Sequence, residues 1–201
     1  QREVRIFLSM GGNFISAMSD TNATSEAIRN CSLTVQISTK PNRSHLVTGK
    51  IGIILPCLGR TERDESGGNA QFVTVENSMG VVHKSIGNRP PASKDLRSEA
   101  SIVSGIAMAI EDKIGFSGIM WRELAADYDM IRDSIENVVP GFDSYNERCR
   151  KNGGFYLPNP PRDSRIFPTK TGSANFISNH LVSISPKDGE FLMMTIRSHD
   201  Q

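Results

Sequence analysis

The apolar positions in the first third of the chain fall into short runs separated by polar or turn-forming stretches. Val4 to Met10 is almost continuously apolar before two glycines interrupt it, and Leu33 to Ile37 and Ile51 to Leu55 form two further runs. Short apolar runs bounded by turn residues are typical of buried strands. Glu26 to Asn30 follows a stretch rich in helix-capping residues and is predicted as a short helix. This alternation of strand and helix predicts an α/β fold with a parallel sheet.

The middle of the chain predicts a hairpin and two amphipathic helices. Phe72 to Glu76 and Gly80 to Lys84 are strand-like segments around a tight turn. From Asp95 to Glu111, and again from Met120 to Val139, apolar residues recur at steps of three and four, which places them on one helix face. A Pro-Gly pair ends the second helix. We expect both helices to pack against the sheet.

The pattern changes after Gly153. Pro158 to Ser164 contains three prolines, which fix the backbone angle and remove hydrogen-bond donors, so an extended connector is predicted there. Beyond the connector, a second, β-rich domain is expected to begin near Arg165 and to be cut short. Its predicted strands are Phe176–Ile177, Leu181–Ile184 and Phe191–Ile196.

Composition and charge narrow the class of protein. The 201 residues suffice for one full domain and part of a second, and 37% hydrophobic with 22% charged residues is typical of a globular protein. The formal net charge of +1 argues against a general nucleic-acid binder. No apolar run reaches the roughly 20 residues that cross a bilayer, and the N-terminus lacks the features of a signal peptide. We therefore expect a cytoplasmic protein without a membrane partner.

The chain offers little for catalysis or metal binding. Cys31, Cys57 and Cys149 are odd in number and widely spaced, which fits neither a disulfide framework nor a paired-cysteine metal motif. The four histidines lack metal-ligand spacing, and no G-x-S-x-G motif is present. We predict no catalytic residue and no metal ligand here. A hydrolase would require the fold to bring a serine, a histidine and a carboxylate together.

Three loops at the predicted ends of parallel strands carry groups suited to a phosphorylated ligand. Gly11 to Asn13 follows the first strand, Ser38 to Lys40 the second and Gly59 to Glu62 the third. Because parallel strands end at one edge of a sheet, we expect these loops to converge. Their amides, hydroxyls and cations suit a nucleotide with a diphosphate. A plain turn at the glycines and a solvated basic surface from Lys40 to Arg63 are the alternative interpretation.

Longer stretches of the sequence resemble one protein family. The chain contains, in this order, MGGN, QISTKPNRSHLVTGKIGIILPCLGRTERD, TVENSMGVVHKSIG, PGFDSYNERCRKNGGFYLPNPPRDSRIFPTKTGSANF and MMTIRSHDQ. These runs resemble molybdopterin oxidoreductases of the bis-molybdopterin guanine dinucleotide class, and within it are most similar to formate dehydrogenase-like alpha subunits. The resemblance extends over essentially all 201 residues.

The resemblance implies an internal fragment that is inactive alone. Family members are several times longer, with two Rossmann-like domains, a C-terminal β-barrel and, in many of them, a 4Fe-4S cluster near the N-terminus. Residues 1–153 are similar to a Rossmann-like domain that lines the molybdopterin guanine dinucleotide site, and residues 154–201 to a connector and the start of the barrel. The molybdenum ligand and the cluster cysteines of the family lie upstream. The expected partners are the remaining domains of the parent chain and an electron-transfer protein.

The resemblance also assigns cofactor contacts residue by residue. Gly11 to Asn13 match a loop along the guanine dinucleotide, and Ser38 to Lys40 match a nucleotide-facing loop in which family members often carry an acid that this chain lacks. Glu62 matches the acidic residue of the third loop, and Arg197 to His199 match a barrel loop that reaches the cofactor. The predicted cofactor-binding residues are Gly11, Gly12, Asn13, Ser38, Thr39, Lys40, Arg60, Glu62, Arg197, Ser198 and His199.

A second interpretation of the same residues is a free-standing α/β module. Such a module would bind a mononucleotide or an acidic partner through the basic stretch from Lys40 to Arg63. Binding of a guanine nucleotide by the isolated chain distinguishes this module from a fragment that needs the rest of a longer protein to complete its site.

Overall fold

The computed structural model describes residues 3–65, 67–181 and 183–193, and the chain divides into two compact units, Gln1–Leu157 and Pro158–Gln201. The described strands are β1 (Ile6–Met10), β2 (Leu33–Ser38), β3 (Ile51–Pro56), β4 (Val73–Glu76), β5 (Val81–Ser85) and β6 (Phe155–Tyr156). The described helices are α1 (Phe14–Ala17), α2 (Thr21–Arg29), a 3-10 helix (Arg43–Leu46), α3 (Glu99–Ile114), α4 (Trp121–Ala126), α5 (Tyr128–Val138), α6 (Tyr145–Arg148) and α7 (Pro160–Ser164).

The first sheet is parallel and has the order β1, β2, β3, which confirms the α/β class. In its register Leu8 pairs with Val35, and Val35 pairs with Ile53. β1 begins two residues later than predicted, and β2 and β3 each extend one residue further. The short apolar runs therefore located all three strands, because β-branched and aliphatic residues fill a half-buried pleated surface well.

Apolar clusters lie on both faces of this sheet. On one face Phe7 of β1 packs against a cluster that contains buried Ile15 and Ile28 from α1 and α2. On the other face Ile37 of β2 packs with Ile102 of α3. Helix α2 begins at Thr21, five residues before the predicted start, because the Asp20 side chain accepts a hydrogen bond from the Ala23 amide at 2.9 Å and caps the helix.

The second sheet is antiparallel and has the order β4, β5, β6. The predicted hairpin between β4 and β5 is confirmed, and its turn is held by the Asn77 side chain, which accepts hydrogen bonds from two turn amides. Gly80 adopts a φ of 77°, which favours glycine. Val82, Tyr145 and Phe155 form the buried core of this part. β6 lies in the stretch that was expected to belong to the connector.

The predicted single helix from Met120 to Val139 is wrong, because the chain forms two helices there. Asp127 adopts an extended conformation, and its side chain accepts a hydrogen bond from the Asp129 amide at 2.9 Å, which caps α5. The apolar spacing continues across this break, so periodicity alone did not reveal it. Helix α3 begins at Glu99 rather than Asp95, because Ser98 caps it by accepting from the Ser101 amide.

The second unit differs from its prediction. Pro160–Ser164 is a short helix rather than an extended connector, because the Asn159 side chain accepts from the Arg162 amide and the prolines occupy first-turn positions that need no donor. Within 165–181 and 183–193 the chain forms no helix or strand. The described parts of the strands predicted there are therefore wrong, and no closed barrel is present among the described residues. Residue 182 of the second predicted strand and residues 194–196 of the last one lie outside the described residues.

Candidate functional site

A cleft of about 760 Å³ lies where the three parallel strands end. All its lining residues belong to the first compact unit. They are Gly11, Ser38, Thr39, Lys40, Leu58, Gly59, Arg60, Thr61, Glu62, Asp64, Gln71, Val73, Ser85, Gly87, Ser98, Glu99, Ala100 and Tyr128. The three strand-end loops thus meet at one cleft, as the parallel order of the sheet requires.

The cleft contains most of the predicted cofactor-binding residues. Six of them line it, while Gly12 and Asn13 lie next to it in the β1 loop. The six are Gly11, Ser38, Thr39, Lys40, Arg60 and Glu62. Arg197, Ser198 and His199 lie outside the described residues. Their predicted contacts with the cofactor stay predictions.

The loop after β1 is held by its neighbour, the segment after β2. The Gly11 amide donates to the carbonyl of Ile37 at 2.8 Å, which extends the pairing of β1 with β2 into the loop. The Asn42 side chain donates to the Gly12 carbonyl at 2.7 Å, and the Asn13 side chain accepts from the Ser44 hydroxyl at 3.0 Å. The side chain of Asn13 therefore has a structural partner.

Glycine suits two positions of this loop. Gly11 and Gly12 adopt φ values of 64° and 71°, in the left-handed region where other residues are strained. A Cβ atom added to either glycine would meet no atom within 4 Å outside the neighbouring residues, so the space next to the loop is open. The glycines are explained by backbone conformation, and they leave room beside the loop for a ligand.

Two exposed cations and two hydroxyls line the same side of the site. Lys40 and Arg60 are exposed and form no ion pair with another described residue. The Ser38 hydroxyl donates to the Lys40 carbonyl at 2.8 Å and so shapes the β2 loop, while Thr39 is exposed. Cations without protein partners are suited to bind a phosphate oxygen.

Glu62 connects two backbone segments of the cleft wall. Its carboxylate accepts hydrogen bonds from the amides of Gly59 at 2.6 Å and Ala92 at 2.5 Å. The hydrogen bond from the Gly59 amide, and to a lesser extent that from the Ala92 amide, holds the pKa of the Glu62 carboxyl below its usual range. Glu62 therefore stays ionised at neutral pH and shapes the loop. Its predicted contact with a nucleotide stays a prediction.

The cleft lining also contains residues that sequence patterns did not identify, with Tyr128 at their centre. The buried Tyr128 donates its hydroxyl to Asp64 and lies 2.6 Å from the Ser98 hydroxyl. The Tyr128 amide donates to the Gln71 side chain at 3.3 Å. Tyr128 occupied an apolar position of the predicted long helix, and no local signal indicated that it would meet residues about 30 to 64 positions away.

Acidic side chains also line the cleft. Glu62 and Asp64 are hydrogen bonded within the protein, whereas Glu99, on the first turn of α3, is exposed and receives no hydrogen bond from another described residue. The cleft therefore offers cations at the β2 and β3 loops and a carboxylate at α3. These groups suit a ligand that carries both phosphate and hydroxyl or N–H donors.

The described residues give no indication of a metal centre of the chain's own. Among residues 3–65, 67–181 and 183–193, no three histidine, cysteine or carboxylate side chains lie close enough to hold a metal ion. Burial raises the pKa of the Cys57 and Cys149 thiols, which favours the unreactive protonated form. None of the described helices combines the length and the apolarity that a membrane span needs.

Comparison with known proteins relates the chain to oxidoreductases. No protein-family model matches it. Over 198 residues it is 50% identical to proteins named uncharacterized oxidoreductase in Mycobacterium tuberculosis and Mycobacterium bovis, covering 98% of this chain and 25% of theirs. Over 202 residues it is 43% identical to the protein YdeP of Escherichia coli K12, covering 99% of this chain and 26% of that protein. The chain thus spans about a quarter of the length of these curated relatives.

Proposed function

We propose that this chain is the part of a larger molybdopterin-dependent oxidoreductase that holds the guanine nucleotide end of the cofactor. The observation that carries the proposal is the convergence of three parallel strand-end loops on one cleft. Ligands of open α/β sheets bind outside the carboxyl ends of the strands, where these loops lie. The resemblance of the loop sequences to the molybdopterin class specifies the cofactor.

The groups in the cleft fit such a nucleotide. The volume of about 760 Å³ lies within the range of roughly 300 to 1,000 Å³ that is usual for ligand sites. Lys40 and Arg60 would bind the diphosphate, with the hydroxyls of Ser38 and Thr39 as further donors. The Glu99 carboxylate would accept hydrogen bonds from the ribose hydroxyls or from the N–H groups of the base. The open space at Gly11 lets the backbone approach the ligand closely.

The role of this chain is binding and orientation. When bound, the molybdenum and pterin supply the redox chemistry. The residues of the chain hold the nucleotide end and so position the cofactor within the larger protein. We place the metal ligand, any 4Fe-4S cluster and the contact with an electron-transfer partner in the remaining part of that protein, because this chain offers no ligand set for them among its described residues.

The relatives support the enzyme class. Proteins of which this chain spans about a quarter carry the name oxidoreductase. Nearly the whole chain aligns with them, at 50% identity. A piece of a larger oxidoreductase is consistent with this alignment.

The proposal is tested on the longer protein encoded by the open reading frame that contains this chain. The protein is purified from a host that makes molybdopterin cofactors, and bound molybdenum and guanine nucleotide are measured. We expect both in near-stoichiometric amounts, and a loss of about tenfold or more in the Lys40→Ala/Arg60→Ala variant, which lacks both phosphate partners. Lys50→Ala, which changes an exposed cation outside the cleft, is the matched control. A wild-type preparation without metal and nucleotide contradicts the proposal.

One observation favours a second candidate, the free-standing module. Every lining residue of the cleft lies in Gln1–Leu157, so the pocket needs no other described part of the chain. Calorimetry of the 201-residue chain with GDP and GMP distinguishes the two candidates. Micromolar binding by the isolated chain favours the module, whereas absence of binding together with a nucleotide-containing longer protein favours the fragment.

A further inference from the structure

The parallel sheet carries a continuous aliphatic surface on one face. Side chains that are paired in a parallel register share a face, so alternate residues of β1, β2 and β3 form one array. Its members are Ile6, Leu8, Met10, Leu33, Val35, Ile37, Ile51, Ile53 and Leu55. We call this array the aliphatic face. All nine of its side chains are apolar, which is the pattern of a sheet face that is buried in the native protein.

Only part of the aliphatic face is covered. Val35 and Ile37 in its centre are buried under α3, where they pack with Ile102. The outer members are between 40% and 62% exposed, and they are Ile6, Leu8, Met10, Ile51 and Ile53. Parallel sheets occur almost only with both faces covered, so this exposure is unusual for a finished α/β layer.

The dimensions of helices and strands explain which part is uncovered. Neighbouring strands lie about 4.8 Å apart, and a helix with its side chains is about 10 Å across, so one helix covers about two strands. Helix α3 contacts β2 and the end of β3 on this face. On this face β1 and the first half of β3 therefore stay uncovered, and the area above β1 has room for one further helix beside α3.

Helix α3 also presents apolar surface away from the sheet. The ten residues from Ser101 to Ile110 include no charged side chain. A groove of about 620 Å³ runs along α3 and α4. Leu55 and Ile102 line this groove, and both residues also pack in the core between α3 and the aliphatic face. A helix that is apolar on several sides belongs in the interior of a larger protein. The groove meets the covered part of the aliphatic face at Leu55, and Arg97 and Arg122 also line it.

We infer that the exposed part of the aliphatic face above β1 docks an amphipathic helix from another part of the longer polypeptide. The inference rests on the proposed membership of a larger oxidoreductase. Three quarters of the length of the mycobacterial relatives lies outside the aligned region, so ample chain is present in them to supply such a helix. The occupant is a helix with an aliphatic stripe that packs over β1 and beside α3. Association of two copies of this chain is the competing occupant.

Methionine oxidation tests the inference, because Met10 lies on the aliphatic face and reports whether that face is covered. Met79 is the control, since it lies in the hairpin turn and is 67% exposed. Both proteins, the 201-residue chain and the longer polypeptide, are treated with hydrogen peroxide, and sulfoxide formation is followed by mass spectrometry of peptides. We expect Met10 to react about fivefold or more slowly in the longer polypeptide, and Met79 to react at a similar rate in both.

A pair of substitutions provides a second readout. Leu8→Gln on the aliphatic face is expected to lower the melting temperature of the longer polypeptide by several degrees and to change that of the 201-residue chain little. Val75→Gln, at a partly exposed strand position on the second sheet, is the matched control and should affect both proteins alike.

The outcomes separate this inference from the cofactor proposal. Met10 protection in a longer protein without nucleotide supports the docking surface and contradicts the cofactor proposal. Equal oxidation of Met10 in both proteins overturns the docking surface. If the longer protein also contains nucleotide, this result leaves the cofactor proposal intact. Protection of Met10 that rises with the concentration of the 201-residue chain, together with a dimer in size-exclusion chromatography, assigns the surface to self-association and also overturns the inference.

Discussion

The carboxylate of Glu62 holds two segments of the cleft wall, because its oxygens accept from the amides of Gly59 and Ala92. Glu62→Gln replaces one acceptor oxygen by a donor and removes the charge from the other. We expect the free energy of unfolding to fall by about 1 to 2 kcal/mol. Urea denaturation measures it. Glu76→Gln, at an exposed position, is the matched control, with an expected change below about 0.5 kcal/mol.

The same residue makes stability depend on pH. The pKa of the Glu62 carboxyl is lowered in the folded protein, so its stabilisation is fully present above the unfolded-state pKa of about 4.3. The stabilisation is lost as the pH falls through the lower folded-state pKa. The difference in unfolding free energy between wild type and Glu62→Gln should therefore shrink from pH 6 towards strongly acidic pH. A difference that is constant with pH would contradict this role.

Gly87 allows close contact between two loop segments of the cleft wall, the one after β5 and the one after β3. A Cβ atom at this position would lie 1.9 Å from the carbonyl oxygen of Glu62, so the backbone would have to move. We expect Gly87→Ala to lower the free energy of unfolding by about 2 kcal/mol or more. Gly105→Ala, in the interior of α3 with no atom within 4 Å, is the control and should raise stability by about 0.5 to 1 kcal/mol. Equal effects in thermal unfolding would refute the steric explanation.

Tyr128 fixes the start of α5 against the start of α3. Its hydroxyl donates to Asp64 and lies 2.6 Å from Ser98, the residue that caps α3. We expect Tyr128→Phe to lower the free energy of unfolding by about 1 to 3 kcal/mol, because it removes a buried hydroxyl from the partly buried Asp64 and Ser98 side chains. Tyr156→Phe, at an exposed position, should change stability less. Amide exchange at the first turn of α3 should increase in Tyr128→Phe, and unchanged exchange there argues against the connection.

Strands and helices were predictable to different degrees. The three parallel strands were located within two residues because each is a short, mainly apolar run bounded by turn-forming residues. The break at Asp127 and the start of α3 at Glu99 depend on single capping hydrogen bonds, which apolar spacing does not report. Pro160–Ser164 shows the same limit. Prolines usually end a helix, but in this segment they occupy the first turn of one. The predicted strands of the second unit failed because an apolar pair alone does not provide a pairing partner.

The topology of the parallel sheet made one part of the candidate site predictable, and the other part was not. A parallel sheet brings the loops after β1, β2 and β3 to one edge, so the wall that contains Gly11, Lys40 and Arg60 followed from strand order. The lining also contains Gln71, from the segment before β4, and Tyr128, the first residue of α5. Their positions depend on tertiary packing between elements that are far apart in sequence. No local pattern encodes that packing.

Hydrogen–deuterium exchange of the longer protein tests most directly whether the three loops hold the cofactor. The protein is compared after purification from hosts that make molybdopterin cofactors and from hosts that do not, and exchange is followed in residues 11–13, 38–40 and 59–62. We predict slower exchange in all three loops of the cofactor-containing protein, with the β4–β5 turn, residues 77–80, unchanged as an internal control. A cofactor-containing protein in which these loops exchange as fast as in the cofactor-free protein contradicts the assignment of the cleft.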